Sequence, residues 1–185
     1  MHRFWAAILV LGVALGVGCG SARAQTGIYG MFSGGFVGSS VAPNATQPSY
    51  SQFGGTFGLY STLLPLGPLR LGMDGRYIIE SSGGSTTYGN QLQSGLFGPR
   101  LALFTHLLPF SPYVQLEIGG AGTNYGHFPS RSTSFAYQAQ FGVDDTLFPH
   151  LDARVEYGTG TIGSDIGGNR ERMQQISGGL VFRFF

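Results

Sequence analysis

Residues 69–79 alternate in chemistry: Leu69, Leu71, Met73, Gly75, Tyr77 and Ile79 hold the odd positions, and the even positions begin Arg70, Gly72, Asp74, Arg76. A period of two sustained over that length describes a strand with a greasy face and an ionic face, and it does not fit a helix. Residues 113–118 repeat the pattern, with Val114, Leu116 and Ile118 opposite Gln115 and Glu117. Residues 151–157 repeat it again, with Asp152, Arg154 and Glu156 on alternate sites. Any fold of this chain must give charges one side of a sheet and apolar side chains the other.

The first 24 residues stand outside that argument. His2 and Arg3 form a basic start, an apolar run covers residues 4–17, and Ala22-Arg23-Ala24 places small residues where a signal peptidase reads them, just before Gln25. Residues 1–24 are therefore expected to be a signal peptide and residues 25–185 the folded domain. Cys19 after Leu15-Gly16-Val17-Gly18 offers lipidation as an alternative, although the leucine lies one place too far upstream for a good lipobox. Cleavage before Gln25 removes the single Cys and single Trp, leaving no disulfide, no thiolate metal site and no cysteine nucleophile. The mature part carries eight Arg, nine Asp plus Glu and no Lys, 8 − 9 = −1, which gives no electrostatic case for nucleic acid.

Charged residues make up 10% of the chain, far below the roughly 25% of soluble domains, and Gly reaches 32 residues. Such a composition suits a membrane. Yet past the signal no window approaches the roughly 20 consecutive apolar residues of a transmembrane helix. A membrane chain without such a helix must satisfy its backbone between strands, in a closed barrel. Further strands are expected near 27–38, 52–63, 91–104, 134–144 and 172–184. The connections then alternate without exception: 39–51, 81–90, 121–133 and 158–171 are long, while 64–68, 105–111 and 145–150 are short. That is the signature of an all-β, eight-stranded antiparallel up-and-down transmembrane β-barrel with periplasmic turns, external loops and both termini in the periplasm. The short turns form a repeat, Thr62-Leu63-Leu64-Pro65, Thr105-His106-Leu107-Leu108-Pro109 and Thr146-Leu147-Phe148-Pro149, at a spacing of about 40 residues.

The chain ends Gly179-Leu180-Val181-Phe182-Arg183-Phe184-Phe185. This ending resembles the C-terminal signature of outer-membrane barrels, in particular the G-x-x-[FY]-R-F close of small OmpA-like and OmpX-like barrels, with one Phe appended. Gly54-Gly55-Thr56-Phe57-Gly58-Leu59-Tyr60 and Gly95-Leu96-Phe97-Gly98-Pro99-Arg100 also look like strand segments of that superfamily. The resemblance implies an assembly signal at Gly179, Phe182, Phe184 and Phe185, read by the barrel-assembly machinery, and outer-membrane lipid as the surroundings. It implies no peptidoglycan-binding domain, since the sequence stops at the last strand.

Alternation assigns Arg70, Asp74, Arg76, Arg100, Gln115, Glu117, Gln138, Gln140, Asp152, Arg154, Glu156 and Arg183 to the inside. An eight-stranded bore is just wide enough for side chains to fill, so these groups are expected to pair across the lumen as a polar plug. A triad is recognised by geometry, and His127-Phe128-Pro129-Ser130 has the wrong spacing for the His and Ser of lipid-deacylating barrels. His106 and His150 read as exposed turn residues. Asp144, Asp145 and Asp165 lack the spaced calcium loop and also read as turn residues. Asn44-Ala45-Thr46 matches a glycosylation sequon that bacterial export makes incidental. The external loops, rich in Ser, Thr, Gly and Asn, suit either ligand binding or solvation.

The expectation is a monomeric, non-enzymatic outer-membrane barrel with a structural or surface-interaction role, no cofactor and no metal. The rivals are a narrow porin-like channel for small solutes, an outer-membrane enzyme acting on lipid, and a soluble barrel of lipocalin type with an apolar inside and a polar outside.

Overall fold

The computed structural model describes residues 25–39, 50–82, 91–104, 110–124, 132–163 and 170–184. The proposed signal with Ala22, Ala24 and Cys19, the long connections' central segments, His106, His127, Ser130, Asp165 and Phe185 lie outside them.

Eight strands run β1 (Thr26–Ser39), β2 (Tyr50–Leu66), β3 (Leu69–Ser81), β4 (Gln91–Leu103), β5 (Phe110–Asn124), β6 (Ser132–Phe148), β7 (Leu151–Gly163) and β8 (Arg170–Phe184). Each pairs antiparallel with its sequence neighbours, and β1 pairs with β8 from Thr26↔Phe184 to Ser39↔Glu171, closing the barrel. Closure removes every sheet edge, so the strands' backbone groups are satisfied without water. Residues 26 and 184 both lie at the end carrying the β2–β3 and β6–β7 turns.

Every strand turns one face outward and one inward. Ile28, Phe32, Phe57, Leu59, Phe97, Leu116, Ile118, Phe135, Phe141, Val155, Ile176 and Leu180 are all exposed. Phe32 reaches 86% and Phe53 71% exposure. Apolar side chains covering an entire wall far exceed the patches a monomer tolerates in water, and they match a hydrocarbon solvent. This polarity is the reverse of that in a soluble lipid-binding barrel. Among the described residues no helix is long and apolar enough to cross a membrane.

Several sequence boundaries move. The strands run further than expected at the loop end: β7 continues to Gly163 and β8 starts at Arg170, where a connection over 158–171 was expected. Likewise β5 continues to Asn124 and β6 begins at Ser132. Runs such as Gly158 to Gly160 read as loop by composition, but here glycine makes room. A Cβ on Gly158 would sit 2.3 Å from Gln140 Oε1 and 2.5 Å from Gln138 Nε2.

The Thr-Leu-x-Pro repeat also changes meaning. Its first and third copies are strand ends, and each contains a register shift, between Thr62 and Leu64 and between Thr146 and Phe148. In both copies the Leu after Thr is the bulged extra residue, a device that increases local twist at a barrel rim. The turns themselves shrink to Gly67-Pro68 and Pro149-His150, with positive φ at Gly67 (65°) and His150 (69°). His150 is exposed there.

Candidate functional site

The inward residues come together in the lumen, and its centre is ionic. Arg76 Nε donates to Glu117 Oε1 at 2.8 Å, its Nη1 bonds Glu156, and its Nη2 donates to Gln115 Oε1 at 2.7 Å. Asp74 lies 3.6 Å away on the same strand. Arg154 grips Asp144 through two bonds, Nε to Oδ1 at 2.7 Å and Nη2 to Oδ2 at 2.8 Å, and Arg100 Nη2 shares the same Oδ2 at 2.7 Å. Nearer the chain ends Arg183 meets Asp152 at 2.8 Å, and Arg70 bonds Gln25 and covers the Phe104 ring at 3.9 Å.

Of the twelve residues assigned inward, ten are buried, and Arg70 and Arg183 are half-buried at the terminus-end mouth. Gln138 and Gln140 sit on β6 directly opposite Glu117 and Gln115 of the Arg76 network, and Gln138 Nε2 donates to Gln175 Oε1 at 3.2 Å. Gly179 on β8 faces inward too close to β1 for a side chain, since a Cβ there would lie 2.1 Å from the Gly30 carbonyl oxygen. Phe182 and Phe184 face outward, their rings in edge contact at 5.1 Å.

Sequence reasoning missed three tyrosines that organise this network. Tyr29 donates to Asp74 Oδ1 at 2.6 Å and Tyr113 to Glu156 Oε2 at 2.7 Å. The guanidinium of Arg154 stands 4.5, 5.1 and 4.8 Å from the ring centroids of Tyr29, Tyr60 and Tyr113, and Arg100 lies 4.1 and 4.3 Å from Tyr60 and Tyr113. Each ring lies across a glycine directly opposite it on the neighbouring strand, Tyr60 on Gly27, Tyr29 on Gly58 and Tyr113 on Gly142. A Cβ at Gly58 or Gly142 would sit 2.3 Å from the tyrosine hydroxyl. These glycines hold the rings flat against the wall so that they stack on the arginines, where a cation over an aromatic face is attracted to it. The signal for them is register, which alternation alone does not supply.

Asp144 is a correction. It is not a turn residue but a buried lumen carboxylate shared by two arginines, whereas Asp145 faces out and is exposed. Its phase was legible, because it follows Gln138 and Gln140 by even steps.

A further correction concerns the ionic face, which does not fill the whole lumen. Toward the loop end Val37, Ile78, Leu92, Leu96, Ala121, Ala136, Ile162 and Met173 form a buried apolar cluster drawn from every strand but β2. Between strands a chain of hydroxyl and amide groups links Ser177 to Ser33 at 3.1 Å, Ser33 to Thr56 at 2.6 Å and Gln175 to Thr56 at 3.3 Å, and reaches the Glu80 carboxyl through Gln175 Nε2 to Oε1 at 2.8 Å. At the terminus end a cavity bounded by Arg70, Arg100, Asp144, Asp152 and Arg183 measures about 30 Å³, room for roughly one water molecule. Among the described residues no group of three or more His, Cys, Asp and Glu is arranged to hold a metal.

A closed eight-stranded barrel, apolar outside and charged within, defines the architecture of the small OmpA/OmpX-like outer-membrane barrels. The solved Neisserial surface protein A has this fold with a TM-score of 0.66, at 17% identity, covering 88% of this chain and 100% of that one. Ail, the attachment invasion locus protein of Yersinia pestis, superposes with a TM-score of 0.51 at 12% identity, covering 87% of this chain and 100% of its own. No family model and no curated protein matches the sequence.

Proposed function

We propose that this chain is a monomeric, non-enzymatic barrel of the bacterial outer membrane, with both termini in the periplasm and its specific role carried by the loops at the opposite end. The observation that carries this reading is a filled lumen inside an apolar wall. Ion pairs occupy the half of the bore near the chain ends, an aliphatic cluster interleaved with buried Glu80, Ser94 and Gln175 occupies the other, and the cavity at the terminus end measures about 30 Å³. A bore blocked in this way supports anchorage and display more than passage of solutes. Phe182 and Phe184, outward on the last strand, suit recognition by the barrel-assembly machinery.

Cell fractionation with heat-modifiable gel migration tests residence and fold together. The protein is expected in the outer-membrane fraction, migrating faster unheated than boiled; recovery from the soluble periplasm would overturn the reading. In a planar bilayer the purified protein is expected to give no steady unitary currents, and discrete openings would favour a channel instead.

A further inference from the structure

The outer wall around β1 carries a furrow that the lumen does not explain. Its floor is Gly34, Gly35 and Gly178, its walls are Phe32, Phe36, Phe53 and Ile176, and its volume is about 480 Å³. The relief comes from register. Phe32 stands between Gly55 and Gly178 on the neighbouring strands, and Gly34 stands between Phe53 and Ile176, so large and absent side chains alternate in both directions.

The outward side of β8 changes character just above this furrow. Ile176 is followed toward the loop end by exposed Gln174, level with Phe36, and then by exposed Arg172, level with Gly38. Arg172 lies four residues from Ile176 on the same face, about 13 Å along the strand. Among the described strand side chains the outward face bears one other charge, Asp145, at the opposite end of the barrel. The Arg172 cation at the rim above an apolar trough complements a molecule with an anionic head and a hydrocarbon tail.

We propose that this wall is a binding site for a phosphorylated acyl lipid, its phosphate on Arg172 and one acyl chain lying in the furrow between Phe32, Phe53 and Ile176. The proposal rests on the membrane reading above and adds a defined lipid contact to it. The phosphate accepts from the guanidinium, and Gln174 supplies a neutral donor one step below.

Native mass spectrometry of the purified full chain in micelles, supplied with phosphatidylglycerol or phosphatidylcholine of the same acyl chains, tests it. Wild type is expected to retain the anionic lipid about tenfold better, the scale of one charge-assisted hydrogen bond. Arg172→Gln should abolish that preference and Arg172→Lys should keep most of it. Gly178→Leu should lower retention of both lipids by filling the furrow, and its Cβ has space, since the nearest atom is the Arg154 carbonyl oxygen at 4.0 Å. Equal retention of the two lipids by wild type, or a preference that survives Arg172→Gln, overturns the proposal, as do lipid-free dimers. Heat-modifiable migration of every variant is read in parallel: a folded barrel without lipid preference refutes the site alone, whereas a wild-type chain without heat-modifiable migration refutes the membrane reading and the site with it.

Discussion

Near the chain ends the lumen is filled by guanidinium and carboxylate groups in ion pairs, and toward the loops by an aliphatic cluster of Val37, Ile78, Leu92 and Met173 beside buried Glu80 and Gln175. The same eight strands build both halves, yet the physical demands differ. An aliphatic cluster is non-directional and loses stability in proportion to what is removed. An ionic cluster holds each charge out of water only while its partners remain, so loss of one member strands the others. The comparison teaches that the ionic half fixes which strand faces which, because Arg154 and Arg100 both meet Asp144 only in one register. The apolar half fills space and excludes water.

The largest effect should come from Arg76→Ala, which leaves Glu117, Glu156 and Asp74 facing one another. A loss of about 3–5 kcal/mol is expected in chemical denaturation of the folded barrel; a loss similar to that of an apolar truncation would erase the distinction between the halves. Gly142→Ala should come next, at about 1–3 kcal/mol, because the new methyl displaces Tyr113 from Glu156 and from the arginines. Tryptic digestion and denaturation together report it, and an unaffected barrel would show that the ring does not depend on its glycine. Ile78→Val in the apolar half should cost about 0.5–1.5 kcal/mol, a graded response measured in the same assay. The smallest effect is expected from salt: moving from 0.1 to 1 M shortens the screening length from about 10 to about 3 Å. Pairs as buried as Arg76 and Glu117 are little screened, so the unfolding free energy should change by less than about 0.5 kcal/mol. A strong salt dependence would place the pairs in contact with bulk water.

How much of this was legible follows from what period two encodes. Alternation reports which face a residue takes, so strand number and the inward positions of Asp74, Arg76, Glu117, Arg154 and Glu156 were readable along the chain. Register across strands has no local signature, and so Tyr29 over Gly58 and Tyr113 over Gly142 were invisible. Gly158 and Gly160 read as loop because composition does not distinguish a flexible turn from a seat for a large neighbour. The phase of Ile78, Leu92 and Leu96 was readable too, since they fall in step with Arg76 and Arg100 in strands of the expected length, but that they meet across the lumen in one cluster depends on register.

The seam between β1 and β8 has a kinetic consequence. Seven of the eight ladders join consecutive strands, while the seam brings residue 26 against residue 184, a separation of 184 − 26 = 158 positions. Contacts that distant are the slowest to form, since the intervening chain must be ordered before they repay its entropy. The hairpins can zip early, but both halves of the lumen draw members from β1 or β8, among them Tyr29, Val37 and Met173. Completion of the interior therefore waits on the last residues of the chain, and assembly is governed by a single late event.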